Sequence, residues 1–151
     1  PADTADRAAI EALRPTWKPT RRVALEAGEP APDRSPAVFH RGPRPSGERP
    51  VVWFFWATWC KPCKAVVPDL LAAAEQQGYD VVAVTQEDPE VVDAFLATWP
   101  HPFPATVALD PKGILHTAFA ATGLPTYVVV TPDGKVQSYG RGAPGRGQLV
   151  L

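Results

Sequence analysis

Val51-Val52-Trp53-Phe54-Phe55-Trp56-Ala57-Thr58-Trp59-Cys60-Lys61-Pro62-Cys63 joins an unbroken apolar run to the chain's only two cysteines. The run reads as a strand over 51–56, apolar on both faces and therefore central in a sheet. The amphipathic stretch that follows reads as a helix over 60–77, ended by Gly78. A buried strand thus delivers a dithiol to the start of a helix. There the free backbone N–H groups and the helix dipole favour thiolate over thiol. Cys60, at the N-cap end, is expected to face solvent and act as nucleophile. Cys63, one turn in, is expected to be shielded and to resolve. Lys61 and Lys64 add positive charge that pushes the same way.

Outward from this stretch the pattern alternates. Strands are expected over 80–85, 106–109 and 125–130, with helices over 89–98 and 111–120, the latter a short helix or turn. Asp88 is placed to cap the helix that Pro89 opens. Thr131-Pro132-Asp133-Gly134 reads as a tight turn into a hairpin partner over 135–139. Alternating β and α closed by a hairpin means an α/β sheet with helices on both faces. Upstream, 4–13 reads as a short helix and 20–25 as a possible strand. The proline-rich segment 29–50 reads as loop with a short edge strand over 37–40. Trp99-Pro100-His101-Pro102-Phe103-Pro104 reads as a stiff loop. The tail 140–151 reads as the opening of a further helix. This gives an N-terminal extension, 1–27, and one domain, 28–151.

Composition limits the function classes. Apolar residues make up 45% and charged residues 21%, ordinary for a globular protein able to bury about 68–70% of its unfolded surface. A net charge of −1 argues against a nucleic-acid surface or a polybasic membrane patch. No apolar run approaches the roughly 18 residues that span a bilayer. The chain starts at Pro1 and has no methionine. The expectation is that a leader or anchor has been removed, or that the chain is an excised piece.

C-x-x-C is also half of a zinc site, but zinc needs two further ligands. His40, His101 and His116 are scattered, and no second C-x-x-C exists. No metal is expected. A local cysteine pair closes too short a loop to staple a fold, which leaves redox chemistry.

Trp56-Ala57-Thr58-Trp59-Cys60-Lys61-Pro62-Cys63-Lys64, with Pro68 five residues beyond Cys63, resembles the thioredoxin superfamily. Pro68 matches that family's helix-kinking proline, and Gly123-Leu124-Pro125-Thr126 resembles its cis-proline loop. The resemblance implies a thioredoxin-like fold, with a central mixed sheet. It also implies a cis Pro125 beside the dithiol, with the backbone of Leu124 offered to a substrate strand. An ordinary trans proline opening a strand is the alternative. Trp59, Pro62, Leu124 and Pro125 would form an apolar substrate-binding surface. An extra β–α unit between the dithiol helix and the cis-proline strand, with Phe103-Pro104 and Leu109-Asp110, resembles the TlpA/ResA subgroup. Those are extracytoplasmic thiol–disulfide oxidoreductases, many serving cytochrome c maturation.

Two departures from the family pattern bear on mechanism. Phe54 stands where thioredoxin has a buried aspartate that accepts the second cysteine's proton. Glu87 is the best match to the subgroup's glutamate after the next strand, though the loop is one residue shorter. Glu87 is therefore expected near Cys63 as proton acceptor, against the alternatives of a solvated loop carboxylate or a helix cap.

The resulting expectation is a monomeric, extracytoplasmic reductase of protein disulfides. It would be fed by an upstream thiol reductant and need no organic cofactor, since the dithiol carries the electrons. The alternatives are an oxidase or isomerase using the same site, and a copper-binding chaperone on the same fold. The last usually has its cysteines one residue further apart.

Overall fold

Val51–Phe55 forms β2, and every one of its residues is buried. Successive side chains of a strand point to opposite faces, and here both faces are covered. Val52 and Phe54 enter one apolar cluster, while Val51, Trp53 and Phe55 enter the other. The computed structural model describes residues 23–100, 103, 105–142 and 151. Its strands are β1 (Val38–Arg41), β2, β3 (Asp80–Thr85), β4 (Thr106–Leu109), β5 (Thr126–Val130) and β6 (Val136–Arg141). They form one sheet in the order β1-β4-β3-β2-β5-β6. β2 pairs parallel with β3, and β3 with β4. The remaining pairs are antiparallel, so the sheet is mixed.

Helix α1 (Lys61–Gln77) follows β2 directly. It stops at Gly78, whose φ of 72° is left-handed, a conformation open to glycine without a Cβ penalty. The Tyr79 N–H then reaches back to the Ala74 carbonyl at 2.8 Å, which satisfies a carbonyl left orphaned at the helix end. α1 and α2 (Pro89–Leu96) bury Val66, Val67, Leu70, Val92 and Leu96 in the first cluster. α3 (Ile114–Ala118) lies on the opposite face, where Leu115 and Phe119 enter the second. This is the α/β, thioredoxin-like architecture, with helices on both faces. Between α1 and β5 the chain runs through β3, α2, β4 and α3.

Two local expectations are corrected. Residues 23–25 are not a strand. The Val23 carbonyl instead accepts the Arg141 guanidinium at 2.6 Å, and Leu25 is buried in the second cluster. A side chain thus satisfies the carbonyl that a ladder would have used. Asp88 occupies the N-cap position of α2, but its carboxylate makes no capping bond. The Pro89 ring supplies a preset φ at the first turn and removes one orphan N–H, so the helix starts without that bond. The expected helix over 4–13, residues 20–22, His101 with its flanking prolines 102 and 104, and the tail 143–150 lie outside the described residues. Leu151 packs against the first cluster.

Candidate active site

The peptide N–H of Cys63 points at the Cys60 sulfur, at 3.2 Å. Cys60 is the N-cap of α1, in extended conformation, and its carbonyl accepts the Lys64 N–H at 3.2 Å. The two cysteines form a disulfide with Cα atoms 5.3 Å apart. When that bond opens, the Cys60 sulfur remains at a helix start with a backbone donor aimed at it. Such a donor lowers the cost of a thiolate.

Exposure of Cys60 differs from the expectation. Cys60 is only 4% exposed and Cys63 is 0% exposed. Trp56 and Ala57 belong to the same buried cluster as the two cysteines, and Leu124 packs against it, so the oxidised pair lies among apolar side chains. Trp59, by contrast, is 74% exposed, and Pro62 is exposed beside it. The Leu124–Pro125 peptide bond is cis. Pro125 is buried rather than part of an open surface, and Leu124 is half-buried. The Pro125 carbonyl accepts the Gly142 N–H at 2.8 Å. Leu124 makes no backbone hydrogen bond among the described residues.

Phe54 is 1% exposed and purely apolar core. Glu87 lies at the end of β3 and reaches across to the dithiol loop. Its Oε1 accepts the Thr58 N–H at 2.7 Å and the Thr85 hydroxyl at 2.9 Å. Its Oε2 accepts the Thr58 hydroxyl at 2.6 Å. Those bonds hold the segment two residues before Cys60 against the end of β3. Neither cysteine is among its hydrogen-bond partners. Lys64 is half-buried, its ammonium 5.6 Å from the Phe95 ring centroid.

Thr58 and Thr85 were not identified as site residues from sequence. Their one signal was a pair of hydroxyls flanking two chain segments whose distance apart only the fold reveals. His116 is a second surprise. Its Nδ1 lies 2.7 Å from Asp110 Oδ2, and both residues are buried. Asp110 also accepts the N–H groups of Leu115 and His116, at 3.1 and 2.9 Å, and so ties down the start of α3. The His116 ring meets Phe55 edge-on at 4.9 Å. Burial pulls the His116 pKa below its ordinary value, and Asp110 opposes that in part.

The AhpC/TSA family model matches residues 45–139, the stretch that holds the disulfide, Glu87 and the cis peptide bond. Over 93 residues the chain is 37% identical to the thiol-disulfide oxidoreductase ResA of Oceanobacillus iheyensis, covering 59% of this chain and 47% of that protein. The chain thus spans about half the length of the curated relatives it matches. Among solved structures it superposes on a protein assigned as thiol:disulfide interchange protein DsbE from Chlorobium tepidum. The TM-score is 0.66 at 31% identity, over 81% of this chain and 89% of the other. A thio-disulfide isomerase from Thermus thermophilus gives a TM-score of 0.60 at 29% identity, over 81% and 90%.

Proposed function

The chain belongs to the AhpC/TSA family, and from its likeness to ResA and DsbE proteins we propose that it is a thiol–disulfide oxidoreductase of that type, working as a reductase of protein disulfides. The single observation that carries this reading is the Cys60–Cys63 pair at the start of α1, with the Cys63 N–H directed at the Cys60 sulfur. In the reduced protein the Cys60 thiolate attacks a substrate disulfide. One substrate sulfur leaves as thiolate and a mixed disulfide forms. The Cys63 thiolate then attacks Cys60, releasing the second substrate thiolate and restoring the bond seen here. Two electrons pass to the substrate, and an upstream dithiol returns them. The dithiol is the redox carrier, so the reading calls for no organic cofactor.

The exposed Trp59 and Pro62 and the unbonded backbone of Leu124 support a substrate segment docking along this surface, where it would pair strand-like with Leu124. Glu87 is a positioning residue in the disulfide state, since its bonds go to Thr58 and Thr85. Its assignment as acceptor of the Cys63 proton requires one of those bonds to open during turnover. An envelope location and a part in cytochrome c maturation belong to the same reading, by likeness to the subgroup. Among the described residues no helix is long and apolar enough to cross a membrane.

The test is to incubate a Cys63→Ser variant with extracts of the host's envelope fraction. Stable mixed disulfides through Cys60 are expected, because the resolving thiol is gone. Capture of nothing, alongside full reactivity of Cys60 with a small disulfide, would remove protein disulfides as the substrate. The likeness to the Thermus isomerase favours isomerisation as the second reading. Recovery of scrambled ribonuclease by the reduced protein, without net reduction, would select it.

A further inference from the structure

Arg34, Arg44 and Arg49 line one cleft of about 270 Å³, together with Phe39, Trp53 and Thr131. No carboxylate is among its lining residues. None of the three arginines is in an ion pair among the described residues. Arg34 is half-buried and spends one donor on the Pro32 carbonyl, at 2.9 Å, which leaves the rest of its fork free. Arg44 lies 4.7 Å above the Phe39 ring centroid, a contact that fixes the guanidinium without consuming its N–H groups. Asp33, next to Arg34 in the chain, is turned to the Ser35 N–H and hydroxyl, at 2.9 and 2.7 Å. Asp133 is likewise held by the Thr131 hydroxyl. Neither acid lines the cleft, although Asp133 borders it through Thr131.

A guanidinium keeps its charge at any physiological pH and presents planar donor pairs that match oxoanions. Three of them line one concave site that no carboxylate lines, a local excess of positively charged donors. We propose that this cleft binds a phosphate group, carried either by a small soluble molecule or by a lipid headgroup. Arg44 and Arg49 also wall a wider cleft of about 710 Å³, but Glu48, Glu75 and Asp80 line that one and make it the poorer anion site. The phosphate site is separate from the disulfide. Its lining includes Val51 and Trp53 of β2 and Val130 of β5, but neither cysteine and no residue of the loop that leads to Cys60.

The experiment titrates the full chain with inorganic phosphate at constant ionic strength, with chloride as the matched control, and follows backbone amide shifts. A parallel arm measures co-sedimentation with vesicles of phosphatidylglycerol and of phosphatidylcholine. Saturable phosphate shifts centred on Arg34, Arg44, Gly47, Arg49 and Thr131 are expected for a soluble ligand. Co-sedimentation with the anionic vesicles alone is expected for a lipid headgroup. In either arm Arg49→Gln, at an exposed position, should weaken binding about tenfold, the equivalent of one charge-assisted bond. The triple variant Arg34→Gln, Arg44→Gln, Arg49→Gln should abolish it, while alkylation of the reduced dithiol stays unchanged. Absence of binding in both arms, equal shifts with chloride, or binding that survives the triple substitution would overturn the proposal.

Discussion

Cys60 and Cys63 are both buried in the disulfide, so exposure does not separate their roles. What separates them is the backbone. The Cys60 sulfur receives a peptide N–H at the helix N-cap, whereas Cys63 lies one turn inside, among apolar side chains. After mild reduction, iodoacetamide should therefore modify Cys60 first, and mass spectrometry of the peptides should find Cys63 slow. Equal modification of the two would reverse the assignment. Glu87 makes a second prediction. Glu87→Gln keeps the shape and lets the amide oxygen accept in place of a carboxylate. It should slow release of the mixed disulfide, with the fold intact. Wild-type release rates would leave Glu87 a purely structural clamp. Thr58→Ala removes the 2.6 Å bond to Glu87 and should cost about 1 kcal/mol in denaturant unfolding, since the pair is only half-buried. The dithiol is readable from residue type and spacing, whereas Glu87 is singled out only by the resemblance to the TlpA/ResA pattern. The Thr58–Glu87 clamp is not readable, because it joins residues 29 apart and exists only once β2 and β3 pair in register.

Gly140 of β6 faces Tyr127 of β5. A Cβ at Gly140 would lie 2.2 Å from one ring carbon of Tyr127 and 2.5 Å from another. Tyr127 is buried in the cluster that holds both cysteines, so its ring has nowhere to go. Gly140→Ala should therefore destabilise the protein by about 1–3 kcal/mol, as overpacking does, and a shift of the urea midpoint at unchanged slope would verify it. At α3, His116 links stability to acidity. Its folded pKa lies below the ordinary value near 6.5, so the unfolded chain binds the proton more readily. Stability from this group is complete above pH 6.5 and is lost as pH falls below that value through the folded pKa. A His116→Gln variant should show a shallower fall in melting temperature than wild type between pH 6.5 and 5. An equal fall would place the acid sensitivity elsewhere. The sequence reveals the elements themselves because each carries its own signature: an unbroken apolar run at β2, and an apolar stripe ended by glycine at α1. It does not reveal Asp110 as the anchor of α3. Aspartate four residues ahead of a helix is common, and only burial turns its carboxylate toward Leu115 and His116.

At the scale of the molecule, fold class followed from the alternation of strand and helix, whereas strand order did not. Which strands pair is decided by crossovers and by which edges stay open, and β1 joining β4 at the far side leaves no mark on local pattern. The assembled molecule sets the potential of the disulfide. The helix start and the neighbouring lysines stabilise the reduced thiolate, yet two lysines are far from the extreme of a strong oxidant. Equilibration with glutathione should give roughly −270 to −180 mV. A value near −120 mV would convert the reading from reduction to disulfide formation. The burial of the sulfurs has one more effect. The chain contains no methionine and no third cysteine, and the sulfurs it has are sealed at 4% and 0% exposure in the oxidised form. A burst of peroxide therefore meets no free thiol and no thioether on the resting molecule. The sulfenic and sulfinic acids that retire other thiol proteins can arise here only during the interval when Cys60 is reduced, so the same bond that waits for electrons also serves as the protein's armour against over-oxidation.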